Sequence, residues 1–513
     1  MDSLLARLRS FPAASPAVGY EGQWFNYGEL TGRSGRVAAA LAACTRRGDR
    51  IALLELNSPA FLEVVLGATE ASCVPVPINT RLAAPEIAYI VNNSGARILF
   101  VGEEHYAVIE SLEGQLPEGM VVIAMQGGGL PGWLDYQAWR DAAQPGARSR
   151  PPAEDDDLTQ LYTSGTTGHP KGAFHSLRNW NAWIRTCRES GWGQYGPDTT
   201  MLVVMPMFHI AALGTALLAL VQGARVVILR RFDPRHTLET IEAERVTDTL
   251  LAPAIVHALL GHPEFGQQDL SSLRCICYGA APMPPSVLAE VRARTDCKLV
   301  QVYGMTENLG LSTSLGPAEH DPALGKLASC GRPYAGTDLR IVDAEGRELP
   351  RGETGEIVVR GPTNFKGYWQ DPQATATTLR GGWLHTGDAG YQDEDGFVFI
   401  LDRVKDMIIS GGENIYPVEV ENALGAHPEV AEVAVIGVPD PRWGEAVKAV
   451  VVRKTGSALQ AEELIAFARE RIARYKLPRS VDFVNALPRN ATGKLLRRTL
   501  REPYWAGHTR RVH

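Results

Sequence analysis

The feature that most constrains this chain is an alternation. Between residues 50 and 310, short runs rich in β-branched and aliphatic residues take turns with helical patterns. "RIALLEL" reads as a strand, "SPAFLEVVLGATEA" as a helix and "CVPVPIN" as a strand. Further on, "TMLVVMPMF", "ARVVIL", "DTLLAPA", "RCICYGA" and "KLVQVYG" are strand candidates, several of them separated by helical stretches. Such alternation predicts an α/β fold with layered, largely parallel sheets. From about 330 to 400 the texture changes to short strands ("TDLRIVD", "GEIVVRG", "GFVFILD") divided by turn signals, which predicts a small distorted β-barrel. From Arg403 onward, "VAEVAVIGV" and "EAVKAVVVRK" read as strands and "AEELIAFARERIARY" as a strong helix, a separate α+β domain. The expected organisation is a large multi-layered N-terminal domain over 1–402, with α/β subdomains over about 1–325 and the barrel-like part over about 326–402, and a C-terminal domain over 403–513.

Bulk properties narrow the class. At 513 residues the chain is long enough to bury large cores without staples. A net charge of -7 argues against a general nucleic-acid binder. The seven cysteines form no C-x-x-C pair and no zinc spacing, so they read as small buried hydrophobes in a reducing compartment. "MDSLLARLRSFPAAS" is not a secretory signal, and the longest apolar run, Ile210 to Val221, is too short to span a bilayer and reads as a buried helix. These readings place the protein in the cytoplasm. The acidic "EDDD" at Glu154–Asp157 reads as a solvated turn.

Chemistry concentrates in five places. "YTSGTTGHPKGA", Tyr162 to Ala173, follows a strand-like "LTQLY" and precedes a helix-like stretch. Gly165, Gly168 and Gly172 let backbone N–H groups approach an anion, Thr163, Ser164, Thr166 and Thr167 add hydroxyls, and Lys171 adds a positive charge, all of which a polyphosphate needs. It is not the usual phosphate loop: Pro170 stands where the second glycine belongs, and Gly172 follows the lysine. In "VYGMTEN" a strand ends in Tyr303, Thr306 and Glu307, suited to a base, a phosphate and Mg²⁺; the plain alternative is a capped turn with Glu307 exposed. Asp388 in "GGWLHTGD" is by pattern a turn residue that is also able to accept hydrogen bonds from a ribose diol. Arg403 in "DRVKDMIISGGENIYP" and Lys494 in "PRNATGKLLRR" read on composition as ordinary surface cations. No G-x-S-x-G elbow, H-E-x-x-H pair or G-x-G-x-x-G fingerprint occurs.

Taken together, in this order and at these separations, the five segments resemble the adenylate-forming superfamily of acyl-CoA synthetases, beetle luciferases and peptide-synthetase adenylation domains, over nearly the whole chain. The resemblance implies a two-step ligase using ATP, Mg²⁺ and coenzyme A. A carboxylate attacks the α-phosphorus to give an acyl-adenylate and pyrophosphate, and a thiol then displaces AMP. It implies that Thr163 to Gly172 grip the phosphates and that Thr163 and Glu307 lie at the magnesium. Tyr303 with Gly279, Ala280 and Ala281 would flank the adenine, and Thr306 would touch the α-phosphate. Asp388 and Arg403 would hold the ribose, and Lys494 would bridge carboxylate and α-phosphate. It implies a mobile C-terminal domain hinged at Lys405, which swings Lys494 in and then turns Ser410–Asn414, with Gly411 and Gly412, toward a pantetheine channel near which Trp443 stands.

The acid pocket lies, by the same resemblance, beyond "MPMFHIAALG", with His209 at a gating position. Relatives that activate amino acids place Asp there, so an α-amino acid is disfavoured. Ile210, Ala211, Ala212, Leu213 and Gly214 are small and apolar, which favours a fatty acid, with an aromatic or alicyclic acid as the alternative. Asn308 departs from the Thr or Ala often found there and bears on the polarity of the pocket floor. The expected partners are a small carboxylic acid and, as the alternative to coenzyme A, an acyl carrier protein. Neither nucleic acid nor an integral membrane segment is expected, and the chain would work as a monomer or homodimer.

Overall fold

A computed structural model describes residues 3–144, 152–163, 170–281, 283, 285–403, 406–410, 413–489 and 495–506. The alternation of strands and helices becomes two parallel sheets. One runs Val74–Pro77, Arg50–Leu54, Ile98–Val101, Val121–Ala124 and Leu134–Asp135, all parallel. The other is nine-stranded, in the order Arg332–Pro333, Thr313–Leu315, Lys298–Tyr303, Cys275–Gly279, Asp248–Leu251, Thr200–Val203, Arg225–Ile228, Pro16–Tyr20 and Gln23–Asn26. It is parallel from Lys298–Tyr303 to Pro16–Tyr20 and antiparallel at both edges.

Helices fill the space between the sheets. Pro59–Glu70 is buried along nearly its whole length, and Phe61, Val65 and Leu66 share one apolar cluster with Ile51 and Phe100 of the first sheet and Met201 and Val226 of the second. A helix buried all round explains why "FLEVVLGA" lacks a polar stripe. Gly67 lets the Tyr27–Cys44 helix approach, because a Cβ there would meet Val37 at 2.5 Å.

The barrel-like module is an antiparallel sheet of Asp338–Val342, Gly355–Arg360, Trp383–Gln392 and Leu379–Arg380, with Val398–Arg403 on Trp383–Gln392. The C-terminal domain builds its own sheet from Ile408–Ser410, Glu413–Ile415, Val430–Asp440, Gly444–Arg453 and Ser480–Phe483 around a separate core of Ile408, Leu424, Val435, Val447 and Leu464. Its helix is shorter than its periodicity suggests. It covers Ala461–Arg469, and the chain then turns so that Ile472 and Leu477 pack onto the same core.

Two local expectations are corrected. The stretch after the glycine-rich segment is a strand, Lys171–Ser176, antiparallel to Asp157–Thr163; the helix begins only at Leu177. Polar residues alternate with apolar ones too irregularly there to announce a strand, and cross-strand pairing decides it. The "EDDD" run is ion-paired rather than merely solvated: Asp155 meets Arg178 at 2.9 Å, Asp156 meets Arg47, and Asp157 meets Arg50 at 2.8 Å and Lys366 at 2.6 Å. Among the described residues no helix is long and apolar enough to cross a membrane.

Candidate nucleotide and acid site

Asp157–Thr163 and Lys171–Ser176, which flank the glycine-rich segment in sequence, form an antiparallel hairpin. Thr163 pairs with Lys171 at its mouth, and the Thr163 hydroxyl lies 3.5 Å from the Lys171 carbonyl oxygen. Ser164, Gly165, Thr166, Thr167 and Gly168 lie outside the described residues. On the far side of the hairpin, Gly367–Tyr368 adds a third strand, with Tyr368 opposite Ala173. The Lys171 ammonium sits 5.4 Å from the Tyr368 ring centre, and the Tyr368 hydroxyl donates to Glu307 at 2.6 Å. Hairpin mouth, lysine and carboxylate are therefore neighbours although more than 130 residues separate them in sequence.

Glu307 is only 5% exposed, which excludes the exposed turn cap. It belongs to a short 3-10 turn, Thr306–Asn308, that follows the Lys298–Tyr303 strand. The turn is closed tightly. A Cβ on Gly304 would meet the Gly310 carbonyl carbon at 2.2 Å, and Leu309 takes the left-handed conformation at φ 56°. Asn308 holds it from within: its carbonyl accepts from the Met305 N–H at 3.0 Å and its amide donates to Ser312 at 2.7 Å. Asn308 is fully buried, and these two bonds commit its side chain to the turn.

Behind the turn lies His175, with 0% exposure. Burial drives its pKa down to about 3, opposed only partly by the Thr306 and Glu307 main chain that it faces. It is a neutral imidazole, with no hydrogen bond of good geometry to either ring nitrogen among the described residues.

The Tyr303 hydroxyl donates to Asp388 at 2.7 Å, and Asp388 pairs in register with Arg403 on the neighbouring strand. Burial, and then the adjacent Asp388 charge, push the Tyr303 phenol well above its ordinary range, so it stays a donor. The side chain of Arg403 lies outside the described residues. Gly279 ends the neighbouring strand, where a Cβ would meet the Val302 carbonyl oxygen at 2.5 Å. Ala280 follows at φ 67°, an unfavourable conformation for a non-glycine residue, and Ala281 comes next. Tyr303, Gly279, Ala280, Ala281, Thr306 and Asp388 thus gather at the C-terminal ends of parallel strands, where open α/β sheets bind ligands.

His209 precedes the buried Ile210–Leu220 helix. Its ring lies 4.4 Å from Phe208, and burial, then the Arg81 charge, lowers its pKa to about 4. Its Nε2 is buried without a hydrogen-bond partner among the described residues.

In the C-terminal domain, Ser410 pairs with Gly444, the residue after Trp443. Arg442 and Arg479 lie 4.7 and 5.1 Å from the Trp443 ring. Gly411, Gly412, the hinge candidate Lys405 and Lys494 lie outside the described residues. Sequence reasoning missed Tyr368 and His175. Tyr368 stands in "FKGYWQDP", which signals only a turn, and the one clue to His175 was its apolar neighbours in "GAFHS".

The chain belongs to the AMP-binding enzyme family, which matches residues 5–369, and the family's C-terminal domain matches residues 419–494. It is thus an adenylate-forming enzyme, and ATP is its nucleotide substrate. It is 42% identical to a feruloyl-CoA synthase of Amycolatopsis sp, over 97% of both chains. It is 38% identical to the fatty acid–[acyl-carrier-protein] ligase ScoC of Streptomyces coeruleorubidus, over 97% of this chain and 95% of that one. Among solved structures, ATP-bound MatB from Rhodopseudomonas palustris superposes with a TM-score of 0.90 at 32% identity, over 99% of this chain and 100% of that one.

Proposed function

We propose that this protein is an AMP-forming ligase that joins a carboxylic acid with an apolar body to coenzyme A through an acyl-adenylate. The observation that carries the reading is the meeting of the Thr163–Lys171 hairpin mouth with Tyr368 and Glu307, beside Thr306. A carboxylate is a weak nucleophile approaching a polyanion, so the site must supply positive charge and alignment rather than a strong base.

Lys171 and the hairpin hold the β- and γ-phosphates. Thr306 donates to the α-phosphate, while Asp388 and Arg403 fix the ribose. The adenine sits between Tyr303 and the Gly279–Ala281 shelf. Thr163 and Glu307 offer a hydroxyl and a buried carboxylate, hard oxygen donors that fit Mg²⁺ completed by phosphate and water oxygens. That ion, when bound, neutralises phosphate charge. The acid's oxygen bonds to the α-phosphorus as the bridging bond to pyrophosphate breaks, and Lys494 holds the incoming carboxylate against the phosphate. In the second step the thiol gives up its proton, sulfur bonds to the acyl carbon and AMP leaves with the bonding pair.

The domain boundary is placed at Arg403, and the C-terminal domain turns about Lys405 between the steps. Gly411 and Gly412 then line the pantetheine path, and the Arg442–Trp443–Arg479 stack suits a nucleotide base with phosphates. The ScoC likeness favours one second reading, transfer to a carrier protein.

Pyrophosphate exchange and AMP release, measured with and without coenzyme A over a panel of acids, test both readings. Coenzyme A-dependent AMP release is expected. Lys494→Ala should abolish adenylate formation while sparing thioester formation from supplied acyl-adenylate; equal loss of both half-reactions overturns the role given to Lys494.

A further inference from the structure

The segment that leads into His209 is held from a different sheet. Met205–Phe208 links the Thr200–Val203 strand to the Ile210–Leu220 helix and belongs to neither, yet Met205, Met207 and Phe208 are all buried. Buried main chain outside a helix or sheet must find its hydrogen bonds elsewhere. Asn57 supplies them. Its carbonyl accepts from the Met207 N–H at 2.8 Å, and its amide donates to the Met205 carbonyl at 2.9 Å and to the Leu229 carbonyl at 3.0 Å. The Leu229 N–H donates to the Val203 carbonyl at 3.0 Å, so Asn57 takes over where the pairing of these two strands ends.

Asn57 is 4% exposed and spends both amide protons on main chain, which leaves it no donor for a ligand. Exchanging its oxygen and nitrogen would set an acceptor against two carbonyls, so the orientation of the amide is fixed. The residue comes from the first sheet, three positions past the Arg50–Leu54 strand. The next residue, Ser58, caps the buried Pro59–Glu70 helix by accepting from the Phe61 N–H at 3.1 Å. Two positions earlier, Glu55 meets Arg230, the neighbour of Leu229, at 3.0 Å. Glu55–Asn57 thus grips the ends of two strands of the second sheet together. The grip reaches His209 through the main chain. The Pro206 carbonyl accepts from the His209 N–H at 3.1 Å, and the His209 carbonyl accepts from the Leu213 N–H at 3.1 Å.

We infer that Asn57 is a positioning residue for the acid: by fixing Met205–Met207 it holds His209 where the carboxylic acid is admitted and aligned. The inference rests on the ligase reading and on the place that reading gives His209. A tie that only held the two sheets together would act differently. Loosening it would weaken ATP and acid alike, or lower stability alone.

The test is pyrophosphate exchange by the full chain with octanoic and cinnamic acid, reading KM for ATP and for the acid separately. In Asn57→Ala, KM for the better acid should rise about tenfold or more while KM for ATP stays within about twofold. In a His209→Ala background the same change should raise the acid KM less than about threefold, because the group it positions is gone. Should Asn57→Ala fail to fold, Asn57→Ser, which keeps a hydroxyl donor and acceptor, reads the same ratios. If His209→Ala is inactive, the first ratio decides alone. An unmoved acid KM, a parallel rise for ATP and acid, a full effect persisting without His209, or no folded variant at position 57 overturns the inference and leaves the ligase intact. No exchange by the wild type with either acid overturns the ligase reading, and the inference with it.

Discussion

The two halves of the cleft treat their polar atoms in opposite ways. On the proposed nucleotide side the hydroxyls, carboxylates and amide are paired within the protein, with His175 behind the turn the exception: Tyr303 with Asp388, Tyr368 with Glu307, Asn308 with Met305 and Ser312. On the proposed acid side the His209 Nε2 is buried without a hydrogen-bond partner among the described residues. Pairing within the protein fixes the first set of groups without any ligand. The second keeps a buried ring nitrogen open, which costs stability until something pairs with it.

Removing Glu307 should break the paired half most severely. Glu307→Ala is expected to lower pyrophosphate exchange by about 10²–10³-fold, in line with loss of a preorganised electrostatic group; a fall under tenfold would remove Glu307 from the phosphate site. Gly304→Ala drives a Cβ into the Gly310 backbone and should lower the melting temperature by several degrees, for a cost of about 3 kcal/mol or more. Tyr368→Phe leaves Glu307 without its phenolic donor, and exchange should fall about tenfold with a changed Mg²⁺ dependence.

Smaller effects sharpen the contrast. Tyr303→Phe deprives Asp388 of its phenolic donor and should cost about 1–2 kcal/mol, read from a denaturant melt. Acid titration gives the last test. Unfolded histidine titrates near 6.5, whereas folded His175 and His209 titrate at about 3 and about 4. As pH falls below about 6.5, the unfolded chain takes up protons that the folded one refuses, so stability declines toward pH 3 and is level in this respect above neutrality. His175→Gln should flatten that decline.

The parallel sheets and the barrel-like module were legible because their strands are short aliphatic runs bounded by turn residues. The site was legible only as separate pieces, since Asp388 and Lys171 are weak signals until the fold sets them beside Tyr303 and Tyr368. Tyr368 itself was invisible, because its role depends on a third strand joining the hairpin from nearly 200 residues away. The Lys171–Ser176 strand was misread for the same reason: pairing across the hairpin, not local pattern, makes it a strand. The unpaired His209 nitrogen was illegible in principle, because a missing partner can be recognised only once every neighbour is placed.

Arg50 stacks 3.4 Å from the Trp369 ring centre and donates to Asp157 at 2.8 Å and to Gln160 at 3.1 Å, all at the base of the glycine-rich hairpin. An engineer wishing to move this hairpin into another scaffold therefore cannot lift the glycine-rich segment alone. Without the guanidinium, the Gln160 oxygen would be stranded in the interior of the new host. The transferable module has three parts, drawn from Arg50, the hairpin and the Lys366–Trp369 strip, and a graft that omits any of them should be insoluble or misfolded before its chemistry can be assayed.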